Sequence, residues 1–85
     1  MAYRLFLRPA AKRNLQRLPR TISTRVEKAI DGLRDEPRPP GYKKLSGFEN
    51  EWRVRVGDYR ILYVIDYAAQ EVRIARIAHR REVYR

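Results

Sequence analysis

Residues 52–60 predict a tight β-hairpin, and the register of that hairpin constrains the rest of the fold. Apolar and basic residues alternate up to Val56, and the pair Gly57-Asp58 then interrupts the pattern. A two-residue turn of this composition joins antiparallel strands and fixes which residues pair across them. The sequence therefore predicts two paired strands whose successive side chains point to opposite faces.

Three arginines fall on one face of this predicted hairpin. Pairing outward from the turn places Arg55 opposite Arg60. Arg53 then lies opposite Leu62, on the same side as both. Like charges that face each other directly across two strands cost a few tenths of a kcal/mol to about 1 kcal/mol. This arrangement does not stabilise the fold. It favours the binding of a polyanion, because clustered guanidinium groups offer forked donors to phosphate oxygens.

The overall charge of the chain also indicates a polyanionic partner. Its 85 residues include 20 Lys and Arg against 10 Asp and Glu, which gives a formal net charge of +10. An excess of this size on a single small domain favours a nucleic acid as partner.

The residue types that the chain lacks narrow the possible chemistry. It has no cysteine and a single histidine, and its acidic residues do not follow a metal-loop spacing. We therefore expect no metal site and no cofactor. No apolar stretch resembles a signal peptide or a membrane span, so we expect a soluble cytoplasmic protein with no membrane partner.

The first half of the chain predicts one strand and two helices. Residues 3–8 alternate as a half-buried strand does, and Pro9 suits the first turn of a helix. A second helix is expected to begin near Thr21 or Ser23 and to end at Pro37. The apolar positions of both helices recur at the spacing of a core-facing stripe, at Ala11, Leu15, Leu18, Ile22, Val26, Ile30 and Leu33.

The second half of the chain predicts a sheet. Residues 38–50 are expected to form a long loop, and strands follow at 59–67, in the centre of the sheet, and at 72–78. The order β-α-α-β-β-β indicates a single small α+β domain over residues 1–85, with a mainly antiparallel sheet and a helical hairpin packed on one face. The residues expected to face the helices are Trp52, Val54, Val56, Ile61 and Tyr63.

Two further arginines have no assigned face at this point. One residue more or less in the turn before Val72 would exchange the faces of Arg73 and Arg76.

Three segments of the chain carry a family resemblance. They are Lys-Leu-Ser-Gly at 44–47, the hairpin block at 52–63, and His-Arg-Arg-Glu-Val-Tyr at 79–84. With this element order, the chain resembles the RelE/ParE superfamily of bacterial toxin-antitoxin modules, and it is most similar to the RelE-like branch of ribosome-dependent messenger RNA endonucleases. The resemblance implies a RelE-like fold, a cognate antitoxin, and the ribosome with its message as partners.

The resemblance also implies roles for individual residues. Arg60 matches an arginine that stabilises phosphate charge, and Tyr84 matches a tyrosine that stacks on a base or assists proton transfer. Arg80 matches a C-terminal catalytic arginine, for which Arg81 is an alternative register. Arg53 and Arg55 fall where some members carry lysines, and an arginine cannot act as a base near neutral pH.

These residues suit cleavage of RNA by its own 2′-hydroxyl. Attack on the adjacent phosphorus would leave a 2′,3′-cyclic phosphate and a free 5′-hydroxyl, and the charge on the nonbridging oxygens calls for fixed cations. The candidate catalytic residues are Arg53, Arg55, Arg60, Arg80 and Tyr84, with His79 as a candidate proton shuttle and Lys43, Lys44 and Arg81 as candidate RNA contacts.

Other interpretations of the same residues stay open. Lys43 and Lys44 are also compatible with a role as solvated charges in a loop. His79 is equally compatible with an ordinary capping or surface histidine, and Tyr84 with a residue that anchors the C-terminus by packing. Two other functions are compatible with the fold. One is a ParE-like toxin that inhibits DNA gyrase without cutting RNA, and the other is a basic RNA-binding module without catalysis.

Overall fold

The computed structural model describes residues 2–38, 43–44 and 51–83, with the backbone alone at 43–44 and 82–83. It contains five strands and three helices in this described part. In chain order they are β1 (Arg4–Leu7), α1 (Pro9–Arg17), α2 (Arg20–Asp35), β2 (Lys43–Lys44), β3 (Glu51–Val56), β4 (Tyr59–Asp66), β5 (Glu71–His79) and α3 (Arg80–Val83).

The boundaries of the first two helices follow from their prolines. Pro9 occupies the first turn of α1, where its missing N–H has no intrahelical acceptor to lose. α1 ends because Leu18 is extended and Pro19 follows it. α2 begins at Arg20, close to the predicted start, and the Ser23 hydroxyl donates to the Arg20 carbonyl instead of capping the helix.

The five strands form one sheet in the order β1-β5-β4-β3-β2. β1 runs parallel to β5 and the other neighbours are antiparallel, so the predicted α+β architecture with a mainly antiparallel sheet is confirmed. β4 is the central strand, as its apolar residues at both parities predicted. No helix in the described ranges is long and apolar enough to cross a bilayer.

The prediction of an unbroken loop at residues 38–50 was wrong at two positions. Lys43 and Lys44 form β2, which pairs with Arg53 and Trp52 of β3. Backbone N–H and C=O groups along the outer side of β3 need partners, and a two-residue strand supplies some of them. Side-chain pattern carries little information about a strand this short.

The core lies between the helices and one face of the sheet. Val54, Val56, Ile61 and Tyr63 are buried there against Val26 and Ile30 of α2, and Trp52 packs against them half-buried. The predicted division of the hairpin into a helix-facing side and an open side is therefore confirmed. Tyr63 is 1% exposed, and its hydroxyl donates to the Pro37 carbonyl at 2.7 Å, which ties the end of the helical layer to the central strand.

Candidate nucleic-acid interface

The hairpin has the register that the sequence predicted. Arg55 pairs with Arg60 and Arg53 with Leu62 across β3 and β4. Gly57 begins the turn at φ +59°, a conformation that glycine adopts without steric cost, and its carbonyl accepts a hydrogen bond from Arg55 Nε at 3.0 Å. Arg53, Arg55 and Arg60 therefore share the open face of the sheet, and we call these three residues the arginine trio.

The members of the arginine trio differ in exposure. Arg60 is only 7% exposed, and its Nη1 donates to the Tyr59 carbonyl at 3.3 Å. Arg53 is half-buried and Arg55 is exposed. A charge that is largely withdrawn from water acts more strongly on its surroundings than a solvated one, because screening is weaker there. Arg60 is thus the member best placed to stabilise developing negative charge.

The C-terminal helix begins beside the hairpin turn. The Arg80 backbone N–H donates to the Asp58 carbonyl at 2.7 Å, and α3 contacts both β4 and β5. Arg80 and Arg81 are exposed there. The hydrogen bond thus brings the first residue of α3 to the end of the sheet that carries Arg55 and Arg60. Tyr84, the remaining candidate catalytic residue, lies outside the described residues.

The structure does not place His79 with the arginine trio. His79 pairs with Tyr59, the neighbour of Arg60, so alternation puts its side chain on the helix side of the sheet. Its ring meets the Tyr59 ring edge-on, with centroids 5.3 Å apart, and Nδ1 accepts a hydrogen bond from the Arg81 backbone N–H at 3.3 Å. His79 thus supports the start of α3 from the far side of the sheet.

A β-bulge decides the position of the two unassigned arginines. Leu62 pairs with Arg76, but the next residue, Tyr63, pairs with Ile74, which leaves Ala75 as an extra residue in β5. The alternation therefore shifts by one, and Arg73 and Arg76 both lie on the open face although their numbers differ by three. Counting along an unbroken strand puts the two arginines on opposite faces, so their shared face could not be predicted from the sequence.

The end of the open face that lies away from the hairpin turn is organised around one buried carboxylate. Glu71 is 9% exposed and accepts hydrogen bonds from Arg4 and Arg73, each at 2.7 Å. Asp66 lies 4.0 Å from Arg73, and the exposed ring of Phe6 lies beside Arg4. Here acidic residues offset the arginines, so the surplus of positive charge on this face lies toward the arginine trio.

The candidate RNA contacts Lys43 and Lys44 lie in β2, where Lys43 is the cross-strand partner of Arg53. Within the described part of the chain, no three His, Cys, Asp or Glu residues are grouped as metal ligands. Guanidinium groups that share one open face of a sheet can bind phosphates of a nucleic acid strand and stabilise charge at one of them.

Comparison with known proteins identifies relatives over nearly the full length of the chain. The family described as the ParE toxin of the type II toxin-antitoxin system parDE matches residues 5–84. Toxin RelE of Mycobacterium tuberculosis is 36% identical over 84 residues, which cover 98% of this chain and 87% of that protein. Toxin RelG of the same organism is 35% identical over 86 residues, which cover 100% and 99%.

A solved structure shares the same fold. The toxin in the RelBE2 toxin-antitoxin complex of M. tuberculosis superposes with a TM-score of 0.80 at 32% identity, over 93% of this chain and 99% of that one. The similarity therefore covers the helical layer, the sheet and the face that carries the arginine trio.

Proposed function

Because this chain belongs to the RelE/ParE superfamily of type II toxin-antitoxin toxins, we propose that it is an endoribonuclease that cuts messenger RNA on the ribosome and so inhibits translation. The observation that carries the proposal is the pairing of Arg55 with Arg60 on the open face, with Arg60 almost fully withdrawn from water. A fold selected only for stability would avoid two opposed like charges. An enzyme that must hold a phosphate in a fixed position gains from them.

In this proposal the 2′-hydroxyl of the message attacks the adjacent phosphorus. The bond from phosphorus to the 5′-oxygen breaks, which yields a 2′,3′-cyclic phosphate and a 5′-hydroxyl end. Arg60 and one further guanidinium, from Arg53, Arg55 or Arg80, stabilise the negative charge on the nonbridging oxygens. A single well-placed arginine contributes a factor of about 10³ or more in phosphoryl chemistry.

Proton transfer falls to Tyr84 in this scheme: as the phenolate it takes the proton of the 2′-hydroxyl, and it then gives that proton to the leaving 5′-oxygen. The side chain of His79 lies on the other face of the sheet from Arg60, with its Nδ1 engaged by the Arg81 N–H, so we assign it a supporting role for α3. The arginines cannot accept the proton, because a guanidinium stays protonated near neutral pH. Ribosomal positioning of the message would supply much of the remaining rate enhancement.

The proposal includes a cognate antitoxin. The similar M. tuberculosis structure is a toxin-antitoxin complex, and a net charge of +10 favours association with an acidic partner segment. An antitoxin that covers the arginine trio would both neutralise its charge and exclude RNA. We expect the antitoxin to copurify with this chain when the two are produced together.

One observation favours a second candidate function. The family that matches residues 5–84 is described as the ParE toxin, and a ParE-like toxin that inhibits DNA gyrase without cutting RNA is the alternative that this match favours. In that case the open face would serve only as an interaction surface.

Primer extension on cellular messages after induction separates the two functions. We expect cuts within translated codons for the native chain and their loss for Arg60→Ala, while Lys28→Gln, on the exposed side of α2, serves as the control. Intact messages together with gyrase-linked DNA breaks would favour the second function. Intact messages without gyrase inhibition would leave the basic RNA-binding module without catalysis as the remaining alternative.

A further inference from the structure

The short C-terminal helix depends on contacts outside itself. α3 has four residues, and a helix of that length is not stable in water on its own. Its first N–H groups have no acceptor within the helix. Two of them are bound from outside, because the Arg80 N–H donates to the Asp58 carbonyl at 2.7 Å and the Arg81 N–H donates to Nδ1 of His79 at 3.3 Å. The position of α3 therefore depends on the hairpin turn and on one imidazole.

His79 does the work of an N-capping residue. It is the residue before α3, and its side chain accepts the N–H of the second helical residue, as serine, asparagine or aspartate does at such positions. Histidine differs from these residues because it gains a charge between about pH 8 and pH 5. Nδ1 accepts a hydrogen bond only while the ring is neutral with its proton on Nε2, since both nitrogens of a protonated ring are donors.

The imidazole is held in place by its neighbour across the sheet. Tyr59 is the cross-strand partner of His79, and the two rings meet edge-on at an interplanar angle of 84°. An aromatic pair in this geometry attracts beyond the effect of its buried area. β4 thus sets the orientation of the ring, and the hydrogen bond to Arg81 transmits that orientation to α3.

The described side chains around His79 offer no partner to a protonated ring. Arg17 of α1 and Tyr59 of β4 line a small cleft beside it, and Arg81 of α3 supplies a second cation close by in the chain. Asp58, in the hairpin turn, forms no ion pair with His79 in the described part of the chain. Protonation therefore removes the acceptor of the Arg81 N–H and leaves no ion pair in its place.

α3 in turn positions the C-terminal part of the candidate site. Arg80 is its first residue and is bound at the turn that joins β3 to β4, the two strands of the arginine trio. Tyr84 follows α3 directly in the sequence. A change in how α3 is held therefore acts on both C-terminal candidates.

From these contacts we propose that neutral His79 is a positioning residue for cleavage, which caps α3 and so keeps Arg80 beside the arginine trio. The inference rests on the proposed function, because it concerns the rate of that cleavage. His79 touches no reacting atom, since its side chain lies on the other face of the sheet from Arg60. The cap is present while the ring is neutral and is lost as the pH falls, so acid slows cleavage through a residue outside the site.

The test compares His79→Asn and His79→Ala with the native chain in single-turnover cleavage on programmed ribosomes. Asparagine is a good N-cap that does not titrate, and its side-chain carbonyl can accept the Arg81 N–H. Both variants lose the ring contact with Tyr59, so a difference between them isolates the cap. At about pH 8, where the native ring is neutral, we expect His79→Ala to cut about fivefold more slowly than the native chain. His79→Asn should recover most of that loss, and all three chains should bind the ribosome equally.

The pH profile separates a titrating cap from a fixed one. Between about pH 8 and pH 5.5 the native rate should fall about threefold or more relative to the His79→Asn rate. Any titration of Tyr84 acts on both chains and cancels in this ratio. A constant ratio would refute the proposal. Equal rates for His79→Asn and His79→Ala would also contradict it, because they would assign His79 to proton transfer, to ring packing or to no role in cleavage.

Solvent exchange of the Arg81 amide provides a measurement that needs no cleavage. In the native chain its protection, taken relative to an unstructured peptide at the same pH, should fall about fivefold as His79 becomes protonated. In His79→Asn it should stay constant. Native protection that does not follow the His79 titration would overturn the proposal even if the variants do not fold. Protection that follows it in a chain that cuts no message would refute the nuclease activity and leave the capping of α3 standing.

Discussion

Substitution of Arg55 should make the protein more stable and less active at the same time. Arg55 faces Arg60 directly across β3 and β4. Relief of a like-charge pair in this position gains up to about 1 kcal/mol. Loss of the exposed hydrogen bond from Arg55 Nε to the Gly57 carbonyl offsets about 0.5 kcal/mol of this gain. We therefore expect Arg55→Gln to raise the free energy of unfolding by at most about 0.5 kcal/mol in dilute buffer.

The corresponding change in Tm follows from chain length. With an unfolding entropy of about 2.1 cal/mol/K per residue, the 85 residues give about 0.18 kcal/mol/K, so the expected rise in Tm is at most about 3 °C. The effect should shrink in 1 M salt, where the Debye length of about 3 Å is shorter than the separation of paired side chains. Single-turnover cleavage on programmed ribosomes should fall about tenfold or more.

Lys28→Gln is the control for the loss of one positive charge. Lys28 lies three residues from Arg25 on one side and three residues from Asp31 on the other, so its two charged neighbours along α2 have opposite signs. It should change neither Tm nor cleavage appreciably. An Arg55→Gln variant that melts below the native protein at low salt, or that cuts at the native rate, would refute the idea that the pair is kept for function against its own repulsion.

Three other changes test separate parts of the account. Tyr84→Phe should lower single-turnover cleavage much more than ribosome affinity, and equal cleavage rates would remove Tyr84 from proton transfer. Tyr63→Phe should lower the free energy of unfolding in urea by about 1–3 kcal/mol, because the buried Pro37 carbonyl loses its donor; unchanged stability would show that this hydrogen bond contributes nothing. Gly57→Ala should cost about 1–2 kcal/mol through the φ of +59° alone, while Gly57→Asn should cost less; equal costs would refute the conformational explanation.

The register of the hairpin could be predicted because two local rules agree there. A two-residue turn fixes the pairing, and the alternation of apolar and basic residues fixes the faces, so Arg55 and Arg60 fell opposite each other as expected. The helices followed from apolar spacing and from their flanking prolines for the same reason. Each of these features depends on residues close together in the sequence.

The features that the sequence did not reveal depend on contacts between distant segments. The bulge at Ala75 arises where β5 adapts to β4, and no residue type in 71–79 marks it. β2 is a strand by virtue of its backbone pairing with β3. The side of His79 depends on the same bulge, because His79 lies beyond Ala75 in β5.

The most direct test of the central claim uses ribosomes programmed with a message whose scissile nucleotide carries either ribose or 2′-deoxyribose. If the arginine trio stabilises attack by the 2′-hydroxyl, the native toxin cuts only the ribose message and leaves a 2′,3′-cyclic phosphate, and Arg60→Ala slows that cut by a factor of about 10² to 10³. Cleavage of the deoxy message, or an Arg60→Ala variant that cuts at the native rate, would contradict the account.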